Sequence, residues 1–277
     1  MFVAIAGHQR SGTTLLSQLC RGHPDMAITL ELACLQGLDL PTTEYAIHIL
    51  GRAARSQAPF VPLHFLKPRP SGPAATFNPR SALRREIVRW ANLGFATSHL
   101  ARLILSRDRP TSATAMETAL RGAFPKARIV GDKWPDYIWQ LDELTREPNV
   151  RCVVIYRDAR DVASSTLERV RTVWGKRVWT RSINTAEKVA DRWVYAMTVM
   201  ERYASACHII RYENLVLWPA ETLTKLSEWL DVNPDGFPSQ IVRASSMGKY
   251  RSGLTPEEMQ TVIEIAGPTM ERLGYEL

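Results

Sequence analysis

No run of about 18 or more apolar residues occurs in the 277-residue chain, and no basic stretch leads into an apolar segment at its start. A membrane span and a secretory leader are therefore not expected, and a soluble, cytoplasmic protein is. Cysteine is scarce: Cys20, Cys34, Cys152 and Cys207 lie far apart, with no CxxC pair. Their spacing matches none of the usual zinc patterns, and Cys152 and Cys207 fall in apolar strand-like stretches, so reduced, buried thiols and no metal site are expected. Internal repeats and low-complexity tracts are missing too. With 45% hydrophobic and 23% charged residues the composition is that of an ordinary folded protein, which excludes disorder, collagen-like repeats and coiled coil. What the chain does have is an excess of base, 35 Lys and Arg against 28 Asp and Glu, or +7. That balance suits an anionic partner such as a nucleotide, a phosphorylated metabolite or nucleic acid. The length fits one large α/β domain or two small ones, and a single domain over 1–277 is expected.

Apolar runs at Phe2–Ala6, Arg128–Val130, Val150–Tyr156 and His208–Arg211 read as strands. Between them lie helical patterns: Leu15, Leu16, Leu19 and Cys20 within Thr13–Arg21, then Ile138/Leu141/Leu144, then Val189/Trp193/Ala196/Met200. Strands alternating with helices predict an α/β fold, a parallel sheet with helices on both faces. Residues 35–125 interrupt that rhythm. Pro59, Pro62, Pro68, Pro70, Pro73 and Pro79 break a stretch flanked by helical segments, the second with Leu83, Ile87 and Trp90 on one face, and this reads as a mainly helical insertion shaping a cleft. Thr255-Pro256-Glu257-Glu258 carries the signature of a capped helix start.

The first apolar run leads into Gly7-His8-Gln9-Arg10-Ser11-Gly12-Thr13-Thr14, with two glycines five positions apart as in GxxxxGK[ST]. Backbone N–H groups of such a loop, together with the following helix N-terminus, cradle a phosphate. The lysine of nucleoside triphosphatases is lacking: Thr13 stands in its place and Arg10 supplies a cation earlier. The Val150–Tyr156 strand also ends in Arg157, where a Mg²⁺-dependent enzyme commonly carries Asp. An arginine fork at a strand's carboxyl end suits a second anionic group. Asp158 and Arg160, next in sequence, read as solvated surface charges.

These residues resemble those of sulfotransferases that use 3′-phosphoadenosine-5′-phosphosulfate, PAPS. Arg10-Ser11-Gly12-Thr13-Thr14-Leu15 is similar to that family's loop for the 5′-phosphosulfate, and Arg157 with Ser165 to its 3′-phosphate motif. His23-Pro24-Asp25 followed by Glu31 resembles the tyrosylprotein-sulfotransferase-like branch and its bacterial relatives. The likeness covers roughly residues 3–33, 128–170 and 185–230. It implies that Arg10, Ser11, Gly12, Thr13 and Thr14 hold the 5′ end. It further implies that Arg157, Ser165 and Arg169 hold the 3′-phosphate, and that Tyr212, Lys249 and Arg251 contact the nucleotide. By the same resemblance Glu31 is the base, and Lys133, in Asp132-Lys133-Trp134-Pro135, joins Arg10 in stabilising the leaving group; His8 and His23 are alternative bases, though His23, just before a proline at a helix end, reads rather as structural.

Ala33 departs from the tyrosine-sulfating pattern, which has an arginine there. A small-molecule, lipid or sugar hydroxyl therefore fits better as acceptor than a peptide tyrosine. The expected activity is metal-independent transfer from PAPS, with no nucleic-acid partner. Two other readings stay open, a P-loop kinase of a small metabolite and a non-catalytic module gripping a polyanion through Arg80, Arg84, Arg85, Arg89, Arg102, Arg107 and Arg109. Trp174 and Trp179, in the Arg171–Ile183 stretch, are equally suited to stacking on an acceptor ring or packing a core.

Overall fold

The computed structural model describes residues 1–56, 58–61, 79–106, 111–175, 177–244 and 246–277, with the side chains of 79–81 excepted. Pro62, Pro68, Pro70, Pro73, Arg107 and Arg109, and the side chains of Pro79 and Arg80, thus lie outside the described residues. In chain order the elements are β1 (Phe2–Ala6), α1 (Thr13–Gly22), β2 (Met26–Leu30), α2 (Thr42–Arg55), α3 (Pro79–Leu105), α4 (Ala113–Ala123) and β3 (Ile129–Lys133). They continue with α5 (Leu141–Leu144), β4 (Val150–Tyr156), α6 (Ala159–Arg169), α7 (Ala186–Arg202), β5 (Cys207–Arg211), α8 (Tyr212–Leu217), α9 (Pro219–Leu230), α10 (Tyr250–Gly253) and α11 (Pro256–Arg272).

The five strands form a parallel sheet in the order β2-β3-β1-β4-β5, flanked by helices, as expected for an α/β fold. Position in the sheet follows from burial. All five residues of β1 are buried, as a central strand requires, whereas β2 and β5, at the two ends of the order, keep partly exposed residues. Two compact units divide the chain: Met1–Val3 with Asp25–Trp134, and Ala4–Pro24 with Pro135–Leu277.

In the first unit β2 pairs with β3 from Met26↔Ile129 to Leu30↔Lys133, so the strand expected at Arg128–Val130 runs on to Lys133, its last residue. The insertion is helical, with α3 packed on α2 and α4. Its predicted face is not the buried one: Leu83 and Trp90 are 63% and 68% exposed and Ile87 is half-buried, whereas Val88, outside that face, is buried. In the second unit β4 pairs with β5 from Cys152↔Cys207 to Tyr156↔Arg211, and α6, α7 and α11 pack together. Cys20, Cys34 and Cys152 are buried, and Cys207 is half-buried rather than buried. A hydrogen bond between the Cys152 and Cys207 thiols raises the first and lowers the second from their ordinary values.

The Ile138/Leu141/Leu144 pattern is not one α-helix but a 3₁₀ segment, Pro135–Gln140, running into a single α-turn. Thr255 caps α11 as expected, in a reciprocal capping box with Glu258. Among the described residues no helix is long and apolar enough to cross a membrane.

Candidate active site

In the second unit, β1 ends at a loop that only special backbone geometry can close. Gly7, Arg10 and Gly12 have φ of 149°, 72° and 99°. A Cβ on Gly7 would lie 2.3 Å from the Ile155 carbonyl oxygen, and one on Gly12 2.4 Å from the Tyr212 ring. The loop is thus seated on β4 and on Tyr212, the first residue of α8, which is 5% exposed. Helix α1 starts at Thr13 with no side-chain cap and no acid in its first turn, so its amides are left for a ligand. Ser11 is fully buried and its Oγ has no partner among the described residues. Thr13 is buried as well, whereas Thr14 is exposed.

Three arginines gather beside this loop. Arg10 Nε donates to Ser165 Oγ at 2.9 Å. Arg157, 5% exposed, stacks over Tyr212 at 4.5 Å to the ring centre and donates to Asp161 Oδ2 at 2.8 Å, yet its buried Nε has no partner among the described residues. Burial, then the charges of Arg169 and Arg157, push Arg10 below its ordinary value, with only Glu168 opposing them. A site with surplus positive charge, an orphaned hydroxyl and an orphaned guanidinium N–H is built for an anion. These residues fit a nucleotide phosphate. Lys249 and Arg251 are exposed, and in their stretch it is the backbone that reaches the site: Gly248 N and Tyr250 N donate to Asp161 at 2.9 and 3.1 Å.

Asp158 and Arg160 are not solvated surface charges. Each is 7% exposed, and Arg160 forks onto the Asp158 carboxylate at 2.7–3.2 Å while donating to the Glu276 carbonyl at 2.8 Å. Asp158 also caps α6 by accepting from Arg160 N, and its own N–H donates to Glu213. The pair secures the N-terminus of the helix that carries Asp161 and Ser165.

In the first unit Lys133, 3% exposed, donates from Nζ to Glu31 Oε1 at 2.7 Å, and the Glu31 side chain stays 38% exposed. The turn that presents Glu31 is strained, since Glu31 and Ala33 have φ of 60° and 55° without being glycine. Asp132 braces it, accepting from Leu32 N at 3.2 Å, Ala33 N at 2.8 Å and Thr29 Oγ1 at 2.6 Å. Arg52 grips the Glu31 carbonyl through two donors at 3.0 and 2.7 Å and lies 3.9 Å over the Trp134 ring. Sequence reasoning passed over Asp132, Arg52 and Asp161, and only Asp161 carried a signal, its i+4 spacing from Arg157.

His23 is structural: its Nε2 meets the Asn233 carbonyl at 2.8 Å and its ring packs on Phe237. His8 is buried, its Nδ1 on the Gln9 carbonyl, and burial pushes it down to about 4. Trp174 and Trp179 pack edge to face at 5.0 Å, with Trp179 still 45% exposed.

A family model described as the sulfotransferase family matches residues 3–235. The chain belongs to the sulfotransferase family. Among curated relatives, the chain is 24% identical over 315 aligned positions to the nodulation protein NoeE of Sinorhizobium fredii, covering 98% of the chain and 65% of NoeE. It is also 24% identical over 159 positions to a protein-tyrosine sulfotransferase of Drosophila melanogaster, covering 47% of the chain and 31% of that protein. The chain therefore spans less than two thirds of either relative. Solved sulfotransferases from Alicyclobacillus acidocaldarius and Mycobacterium avium share its fold, with TM-scores of 0.52 and 0.50 at 16% and 15% identity, over 98% and 100% of the chain and 93% and 77% of theirs.

Proposed function

We propose that this sulfotransferase domain, comprising the whole chain, moves the sulfuryl group of PAPS to the hydroxyl of a small molecule, lipid or sugar, without a metal ion. The observation that carries this reading is the meeting of Arg10, Arg157 and Arg169 with the unpartnered Ser11 Oγ and Arg157 Nε. In this reading Arg10, Ser11, Gly12, Thr13 and Thr14 hold the 5′ end. Arg157, Ser165 and Arg169 hold the 3′-phosphate, with Tyr212 beneath and Lys249 and Arg251 at its margin. PAPS, when bound, supplies an activated S–O bond that breaks as the new S–O bond to the acceptor forms.

Glu31 accepts the acceptor's hydroxyl proton, and the exposure of its carboxylate leaves an oxygen free to do so. Lys133 and Arg10 offset the negative charge that builds on the departing phosphate oxygen. Arg157 at the end of β4, and Thr13 in place of the loop lysine, fit a bisphosphate better than a Mg²⁺-bound triphosphate. A cytoplasmic location accords with this nucleotide chemistry.

Calorimetry in EDTA tests the reading. 3′-Phosphoadenosine-5′-phosphate should bind far more tightly than AMP or ATP. If ATP with Mg²⁺ binds better than the bisphosphate and is turned over, the protein is a kinase; salt-sensitive polyanion binding with no nucleotide affinity makes it a binding module.

A further inference from the structure

Asp161 lies on the first turns of α6 and is 3% exposed, and three donors converge on its carboxylate. Arg157 Nη2 and Gly248 N reach Oδ2 at 2.8 and 2.9 Å, and Tyr250 N reaches Oδ1 at 3.1 Å. Gly248, at φ 69°, lets amides two residues apart face one carboxylate. The same arginine nitrogen also donates to the Ser246 carbonyl. Neighbouring side chains of α6 complete the seat for this stretch. The Arg160 guanidinium covers the Tyr250 ring at 4.6 Å, and Ser164 lies so close to Gly253 that a Cβ there would come within 2.1 Å of its Oγ.

One acid thus joins two things that the sequence separates by 89 positions or more, the arginine at the end of β4 and the backbone of the 246–250 turn. Arg157 is not saturated by this, because its Nε remains buried and unpartnered among the described residues. We propose that Asp161 is a positioning residue that makes Arg157 and the 246–250 turn respond as one unit, so that an anion held by Arg157 also fixes the turn. The proposal rests on the nucleotide-site reading of Arg157. It extends that reading to a strap, and by linkage whatever tightens the strap tightens the nucleotide.

Hydrogen exchange of residues 246–253 and calorimetry with two nucleotides test this on the full chain, comparing wild type, Asp161→Asn and Asp161→Ala. In the free protein, exchange at Gly248 and Tyr250 should rise strongly in Asp161→Ala and less in Asp161→Asn, which keeps one acceptor oxygen. Affinity for 3′-phosphoadenosine-5′-phosphate should fall about 10–100-fold in Asp161→Ala, the loss expected for charge-assisted bonds. Affinity for adenosine 5′-phosphosulfate, which lacks the 3′-phosphate, should hardly change. The bisphosphate should slow exchange at 246–253 in wild type but not in Asp161→Ala. Unchanged exchange in a folded variant, or an equal loss for both nucleotides, overturns the proposal. If Asp161→Ala does not fold, Asp161→Asn decides on the same two criteria. Should wild type bind neither nucleotide, the nucleotide reading falls by itself, and exchange in the free protein still decides whether Asp161 ties the turn.

Discussion

Arg157 and Lys133 are cations at strand ends that would ordinarily be solvated, yet they are 5% and 3% exposed and each is held by one carboxylate. Burial of a charge raises what is at stake when its partner goes. Arg157→Ala should therefore weaken 3′-phosphoadenosine-5′-phosphate by about 2–4 kcal/mol, leave adenosine 5′-phosphosulfate nearly unchanged, and lower stability by about 3 kcal/mol because buried Asp161 loses its guanidinium partner and keeps only the two backbone amides. Calorimetry and urea unfolding measure the two effects separately, and an equal loss for both nucleotides would remove Arg157 from the 3′-phosphate.

For the first unit's pair, single-turnover transfer to acceptors of graded acidity separates the roles. Glu31→Gln should lose about 10²–10⁴ in rate on an alcohol and recover on an acidic phenol that is already ionised. Lys133→Ala should lose about 10²–10³ on both if its charge serves the leaving group as proposed. Near wild-type rates for Glu31→Gln on the alcohol would leave buried His8 as the remaining histidine candidate. The identities of these residues were legible from sequence. What was not legible is that Glu31 is presented by a left-handed turn braced by Asp132 and Arg52, partners with no periodic relation to it.

Elements were legible where a local rule dominates. The β1 run, the glycine loop and the Thr255 capping box are each decided within a few residues. Where two periods coincide the sequence is ambiguous: apolar residues three apart, as in Ile138/Leu141/Leu144, suit a 3₁₀ turn of three residues as well as an α-helix. Strand β2 was missed because Met26–Leu30 is a short apolar run that opens soon after Pro24 and ends in an acid, with no turn signal to mark it.

Caps make the contrast between local and tertiary strength measurable. Thr255→Ala removes only a surface cap and should cost about 1 kcal/mol, whereas Asp158→Ala removes a cap and leaves Arg160 buried without its acid, at about 3 kcal/mol or more. Equal thermal shifts for the two would mean that the Asp158–Arg160 pair adds nothing beyond the cap. Gly12→Ala should abolish nucleotide binding, since φ 99° and the Tyr212 ring both exclude a side chain; calorimetry showing wild-type affinity would contradict the packing of the loop on Tyr212.

Across the whole molecule, buried histidines set an acid limit. Burial pushes His8 and His99 down to about 4, and His48 and His208 move in the same direction for the same reason. A histidine neutral in the fold takes up its proton first in the unfolded chain, so stability present above pH 6.5 is lost as the pH falls toward 4. For His8 and His99 the loss should be about 2 kcal/mol each between pH 7 and pH 5. His99→Gln, which keeps a partner for the Tyr45 hydroxyl, should reduce that slope by about one ring's share; urea midpoints that do not move over this range would show the rings to be accessible.

By itself the sequence determined the alternation of strands and helices, the loop, and the cations and acids available to a site, because hydrophobic period, glycine and capping act over a few residues. Only the tertiary structure decided which charges are buried and paired. Asp158 and Arg160 look solvated by position and become a buried pair because Glu213 and the chain's last residues close over them. Glu31 meets Lys133 across 102 positions because parallel pairing sets Leu30 beside Lys133, a register that neither strand specifies alone. Long-range hydrogen bonds have no period in sequence, and a carboxylate is claimed by whichever donors the fold carries to it.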